Sequence, residues 1–195
     1  MKIELDISRL QTGDIILQHD KFNIFDPATY YPLITRYATK SRYNHAGIVM
    51  EFDGLKFVAE SLINGVNIRE IEVLQGKDIA IYRNMLYTPR IFKEEAEEIL
   101  EFLFKAEGKK YDFKDALLSQ GLYCISYSVF KNDGLWVGSR RKNAEKTYYC
   151  SELVARALIR SYPNNWWKCS PADLIRWSNN IKLFEGVVNK LCGKC

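Results

Sequence analysis

Histidine is nearly missing from this chain: of 195 residues only His19 and His45 are histidines. Imidazole is the usual general base near neutral pH, so chemistry of that kind has two candidates at most. Proline and glycine are also scarce, at 5 and 11 residues, which excludes a collagen-like or linker-dominated chain. There is no internal repeat and no low-complexity segment. No apolar run approaches the ~20 residues that a spanning helix needs. The net charge of +4 is too mild to name a partner, and basic residues are not interleaved with aromatics as in a nucleic-acid module, so no nucleic acid is expected. The five cysteines are an odd set (Cys124, Cys150, Cys169, Cys192 and Cys195) without framework spacing, which argues against a disulfide scaffold. The pair Cys192 and Cys195 lacks both the strand–helix context of a redox site and a second CxxC, and reads as a frayed tail. The opening Met-Lys-Ile-Glu-Leu-Asp has acidic residues where a signal peptide needs an apolar run. The chain as given is therefore expected in the cytoplasm, with export the alternative if a leader has been removed.

What is present is ordinary globular composition, 47% apolar and 27% charged, which suits one domain over residues 1–195. Residues 13–18 read as a strand, 27–40 as a loop and helix, and 44–62 as a hairpin turning at Asp53-Gly54. Residues 66–73 and 78–83 continue as strands of an antiparallel meander. A helix starts at Pro89, carries Phe92, Ala96, Ile99, Leu100, Leu103 and Phe104 on one stripe, and ends at Gly108. Asp112 reads as the cap of a second helix, 148–161 as a third, Ser170-Pro171-Ala172-Asp173 as a further helix start, and 181–188 as a last strand. Strands gathered before helices predict an α+β fold with the helices on one side of an antiparallel sheet.

The chemistry concentrates at Cys150. The sequence Tyr148-Tyr149-Cys150-Ser151-Glu152-Leu153-Val154 runs from a β-like aromatic pair into a helical pattern. A thiol in the first turn meets unpaired backbone N–H groups and the positive end of the helix dipole, which favour the nucleophilic thiolate. His45 opens the first arm of the hairpin. With the turn centred on Asp53-Gly54, paired positions sum to 107, so Gly47 faces Glu60. His45 and Glu60 then become diagonal neighbours on one face, roughly 7 Å apart at the backbone. Gly47 leaves the carboxylate uncrowded, and a one-residue slip would separate the two side chains. A carboxylate holding one imidazole nitrogen while the other faces a thiol is the logic of a catalytic triad.

Asn44-His45-Ala46-Gly47-Ile48-Val49, an acidic residue fifteen positions after the histidine, and Tyr149-Cys150-Ser151-Glu152-Leu153-Val154 resemble the circularly permuted, NlpC-like papain-fold cysteine hydrolases, the YiiX/YebB-like branch in particular. Gly13-Asp14-Ile15-Ile16-Leu17, Lys110-Tyr111-Asp112 and Ser170-Pro171-Ala172-Asp173-Leu174 add to the likeness, which spans about residues 10–180. The resemblance implies an antiparallel sheet or small barrel packed against helices, with Cys150 as nucleophile, His45 as base and Glu60 as its orienting partner. It implies a peptide, isopeptide or aminoacyl amide substrate, of cell-wall type among others, and no metal or organic cofactor. Residues 121–146 match nothing in it.

Other readings stand beside this one. The same permuted fold in lecithin–retinol acyltransferase-like proteins acts on acyl esters, and an apolar groove at Trp166-Trp167 would favour that. A binding module that keeps the fold without activity is the non-enzyme alternative. Alone, Glu60 would be an exposed strand carboxylate or an ion-pair partner of Lys56 or Arg69. Tyr149, Tyr111 and Arg140 are candidates for substrate contact, with core packing, helix capping and a solvated basic loop as their plain alternatives. Asp14 is expected to brace backbone near the site, His19 to be a surface histidine, and Glu152 to point away from Cys150. Nothing in the sequence sets the oligomeric state.

Overall fold

The computed structural model describes residues 4–19, 41–85, 89–112, 116, 146–158, 169–176 and 179–193. Expectations for 27–40, Cys124, Arg140 and its basic loop, Trp166-Trp167 and Cys195 lie outside those residues.

The centre of the molecule is a six-stranded sheet. Its strands are β2 (Ile15–Gln18), β3 (His45–Phe52), β4 (Leu55–Leu62), β5 (Gly65–Glu70), β6 (Asp78–Asn84) and β9 (Asn180–Val187), ordered β5-β4-β3-β2-β6-β9 with every pair antiparallel. The meander holds from β2 to β5. β6 then returns to the free edge of β2, which makes β2 central, and all four of its residues are buried. Alternation along the strands divides the apolar residues between two cores. Ile15, Leu17, Ala46, Ile48 and Ala59 face α1 (Pro89–Ala106) and α2 (Cys150–Ala157) through Ile99, Leu103, Leu153 and Val154. Ile16, Val49, Val58, Ile79 and Ile81 face Leu5, Ile7, Ile71, Leu74 and Val188. The fold is α+β, with the long helices on one side of the sheet.

Three expectations are corrected here. The strand over 66–73 stops at Glu70, and residues Ile71–Leu74 form a 3-10 turn. Three residues per turn bring Ile71 and Leu74 to the same side, where both are fully buried in the second core. Cys192, expected in a frayed tail, instead ends a strand, β10 (Lys190–Cys192), paired in parallel with β1 (Glu4–Asp6), and its Sγ lies 3.6 Å from the Leu5 carbonyl oxygen. On α1, Ile99 and Leu103 are buried and Leu100 packs against the core as expected, but Phe104 stands 43% exposed and meets Phe52 edge-on at 5.4 Å, while Ala106 is buried; the Phe92 side chain lies outside the described residues.

Candidate active site

The hairpin has the expected register. Gly47 pairs with Glu60 and Phe52 with Leu55, and Asp53 and Gly54 both take positive φ, 52° and 76°, as a type I′ turn requires. A Cβ on Gly47 would lie 3.2 Å from Val58 Cγ1, 3.3 Å from the Ala59 carbonyl oxygen and 3.5 Å from Glu60 Cβ. The missing side chain is what lets the two strands close over this spot. The His45 Nε2 and Glu60 Oε2 are 2.7 Å apart. A carboxylate only accepts, so Nε2–H donates and Nδ1 is left free to face elsewhere. The imidazole keeps 13% exposure, whereas the Glu60 side chain keeps 2%.

Cys150 is the first residue of α2, with Tyr149 as the extended residue before it. Several contacts fix this entry. β8 (Thr147–Tyr148) pairs in parallel with β7 (Lys110–Tyr111). The Ser61 hydroxyl donates to the Tyr148 carbonyl at 2.6 Å, and the Ser151 hydroxyl to the Cys169 carbonyl at 2.6 Å. Glu152 turns back to accept from the Tyr149 N–H at 3.3 Å, as an N3 carboxylate does in a capping box. The expected helix from Tyr148 thus begins at Cys150, because Tyr148 is held in a strand. The apolar side of α2 packs on the first core, while Glu60 has the strand parity of the second. His45 can meet both because it is the first residue of β3, at the sheet end where α2 starts.

Electrostatics tie the three side chains together. Burial disfavours a charge on His45, but its hydrogen bonds to Cys150 and Glu60 outweigh that and raise the imidazole to about 10. Burial likewise opposes ionisation of Glu60, yet His45, and after it Arg69, hold the carboxyl down at about 2. With Nε2 engaged by Glu60, Nδ1 is the ring nitrogen left for the hydrogen bond to Cys150.

Glu60 has two further partners: Arg69, one of the two ion-pair candidates the sequence offers, and Gln18, which carries no clear signal there. The Gln18 Nε2 donates to Glu60 Oε2 at 3.3 Å, and Arg69 Nη2 pairs with Oε1. Gln18 is opposite His45 across β2 and β3. Lys56, the other suggested partner, pairs with Glu51 at 2.6 Å. Among the further candidates, Tyr149 is fully buried. Tyr111 is partly buried, and its phenol is pushed well above its usual value by burial and then by charge at Cys150, Asp112 and Glu152. That places Tyr111 within electrostatic reach of the thiol. Asp112 accepts from the Thr147 hydroxyl at 2.7 Å and so locks β7 to β8. Asp14 is a buried brace, bound to Arg83 Nε at 2.8 Å and Nη2 at 2.7 Å and to the Gln11 N–H at 3.0 Å. His19 lies partly exposed against Asp78 at 3.0 Å. Among the described residues, no group of three or more His, Cys, Asp or Glu side chains is placed to hold a metal ion, and no helix is long and apolar enough to cross a membrane.

The model of the permuted papain-like amidase enzymes, YaeF/YiiX, C92 family, matches residues 9–142. That span holds His45 and Glu60 and stops short of Cys150. The crystal structure of metalloprotein yiiX from Escherichia coli O157:H7, DUF1105, is similar with a TM-score of 0.53 at 19% identity, covering 79% of this chain and 67% of that one. At this identity the likeness speaks for the fold. No curated protein matches the chain.

Proposed function

The chain belongs to the permuted papain-like amidases of the YaeF/YiiX, C92 family and is a thiol hydrolase, and we propose that it cleaves amide bonds through Cys150, His45 and Glu60. The observation that carries this reading is the 2.7 Å bond from His45 Nε2 to a buried Glu60, which leaves Nδ1 to the Cys150 sulfur. The Cys150 thiolate attacks the substrate carbonyl. His45, charged beside it, gives its proton to the leaving amine, so the C–N bond breaks and a thioester to Cys150 forms. Glu60 keeps the ring in place and balances its charge. The backbone N–H of Cys150, in the first turn of α2, supplies one donor to the oxyanion. His45, now neutral, takes a proton from water, which attacks the thioester and frees the acid and the thiol. The substrate is a peptide, isopeptide or aminoacyl amide, with cell-wall-type peptides the first class to try. Tyr111, near the thiol, is the proposed substrate contact with the best-supported position.

A brief, sub-stoichiometric iodoacetamide treatment at pH 6, followed by mass spectrometry, tests the nucleophile. Cys150 is expected to label ahead of Cys124 and Cys169, and to lose that lead in His45→Ala. Acyl-amide and acyl-ester panels run with wild type and Cys150→Ala then test the reaction. Turnover of esters without amides would move the assignment to acyl-ester chemistry. Turnover that survives Cys150→Ala would remove the nucleophile.

A further inference from the structure

Glu60 lies between two cations on one face of the sheet. Across β3, His45 is its diagonal neighbour, since Gly47 is the residue opposite. Across β5, Asn67 is opposite Glu60 and Arg69 opposite Val58, so Arg69 is the diagonal neighbour on the other side. The result is a row of imidazole, carboxylate and guanidinium over three adjacent strands. The two carboxylate oxygens are divided: Oε2 takes His45 and the neutral Gln18, and Oε1 takes Arg69. The charged groups bearing on the row are His45 from β3, Arg69 from β5 and Cys150 from α2 through the imidazole. Glu60 is 2% exposed and Arg69 41%. The carboxylate is thus inside the protein, and its second cation reaches it from the solvent side.

A carboxylate this deep that loses a partner either rotates toward whatever donor remains or takes up a proton. Either change would loosen its hold on Nε2. Guanidinium is suited to prevent both, because it stays charged at all working pH values and presents its donors in a fixed plane. We propose that Arg69 is a positioning residue of this site: by occupying Oε1 of Glu60 it fixes the carboxylate so that Oε2 remains on His45. This rests on the reading of Cys150, His45 and Glu60 given above.

The test uses Arg69→Gln and Arg69→Lys in the full chain, followed in two ways. The first is amide turnover against pH. The second is the downfield Nε2–H proton resonance of His45 in histidine-labelled protein, which needs no substrate. Arg69→Gln should lower kcat by about 10–100-fold, the range known for hydrogen-bond partners that orient metal-bound residues. KM should stay within about twofold, the acid limb of kcat/KM should move up, and the resonance should broaden or vanish. Arg69→Lys should recover part of kcat. In a Glu60→Gln background, Arg69→Gln should cause no further loss, because its effect passes through Glu60. That double variant buries no unpaired carboxylate, so it remains a valid comparison even if Arg69→Gln alone folds poorly. An unchanged resonance and acid limb in Arg69→Gln, or an equal further loss in the Glu60→Gln background, would overturn the proposal. If the wild type turns over no amide, the hydrolase reading fails by itself, and the resonance alone then decides the role of Arg69.

Discussion

Hydrogen bonds to Cys150 and then to Glu60 hold His45 in its charged form, His45 and then Arg69 hold Glu60 in its own, and the pH dependence of each has its own sign. His45 is raised from 6.5 to about 10, so its stabilisation is complete below about 6.5 and is lost as pH rises through 10. Glu60 is lowered from 4.5 to about 2, so its stabilisation is complete above about 4.5 and is lost as pH falls through 2. The thermal midpoint of wild type should exceed that of Glu60→Gln most between these ranges, near pH 5–6. The gap should close toward pH 2 and narrow toward pH 10, where the hydrogen bond to Cys150, which Glu60→Gln keeps, also holds the imidazole's charge. Calorimetry of both proteins across that span checks it, and a constant gap would show that the pair is not coupled to folding. Kinetically, His45→Ala should abolish turnover while Glu60→Gln retains a fraction, because the sulfur–imidazole pair survives without its orienting group. Full kcat/KM in a folded Glu60→Gln would reduce the site to a dyad.

The β3–β4 hairpin is the element on which the geometry depends, and Gly47 is its most sensitive point. Valine there would drive side-chain atoms into Val58, the Ala59 carbonyl and Glu60. Gly47→Val should destabilise the protein by about 1–3 kcal/mol, the usual range for overpacking, and should lower kcat beyond what the loss of folded protein explains. Urea unfolding with parallel kcat measurements separates the two effects. This hairpin was legible in the sequence because its determinants are local: a turn dipeptide, strict alternation and one glycine. The helix start at Cys150 was nearly legible for the same reason. Arg69 was legible only as one of two ion-pair candidates beside Lys56, and Gln18 was not legible at all, since it reaches Glu60 from β2, whose register against β3 is set by no turn dipeptide. The end of β5 was not legible because Ile71 and Val73 alternate as a strand would, while Ile71 and Leu74 equally fit one side of a 3-10 turn. Only the second core beneath them chooses between the two.

At the scale of the molecule, the sheet has helices over one face and the two chain-terminal strands near the other. β1 and β10 pair beside a core that includes Leu5, Ile7 and Val188. Removing residues 190–195 should expose part of that core and cost about 2 kcal/mol, lowering Tm by roughly 4–8 °C. The iodoacetamide reactivity of Cys150 should be unchanged, since α2 packs on the opposite face. Scanning calorimetry and alkylation rates of the truncated chain test both halves. An unshifted Tm would mean that β10 adds nothing to this core.

The pairing of Glu4 with Lys190 puts the first described strand alongside the last. The two strands run in parallel, so residues at opposite ends of the described sequence lie side by side. His45 and Cys150, far apart in the sequence, are likewise neighbours only in space. Linear distance is thus a poor guide to neighbourhood here, and a better one is the sheet end where β3 and α2 begin together.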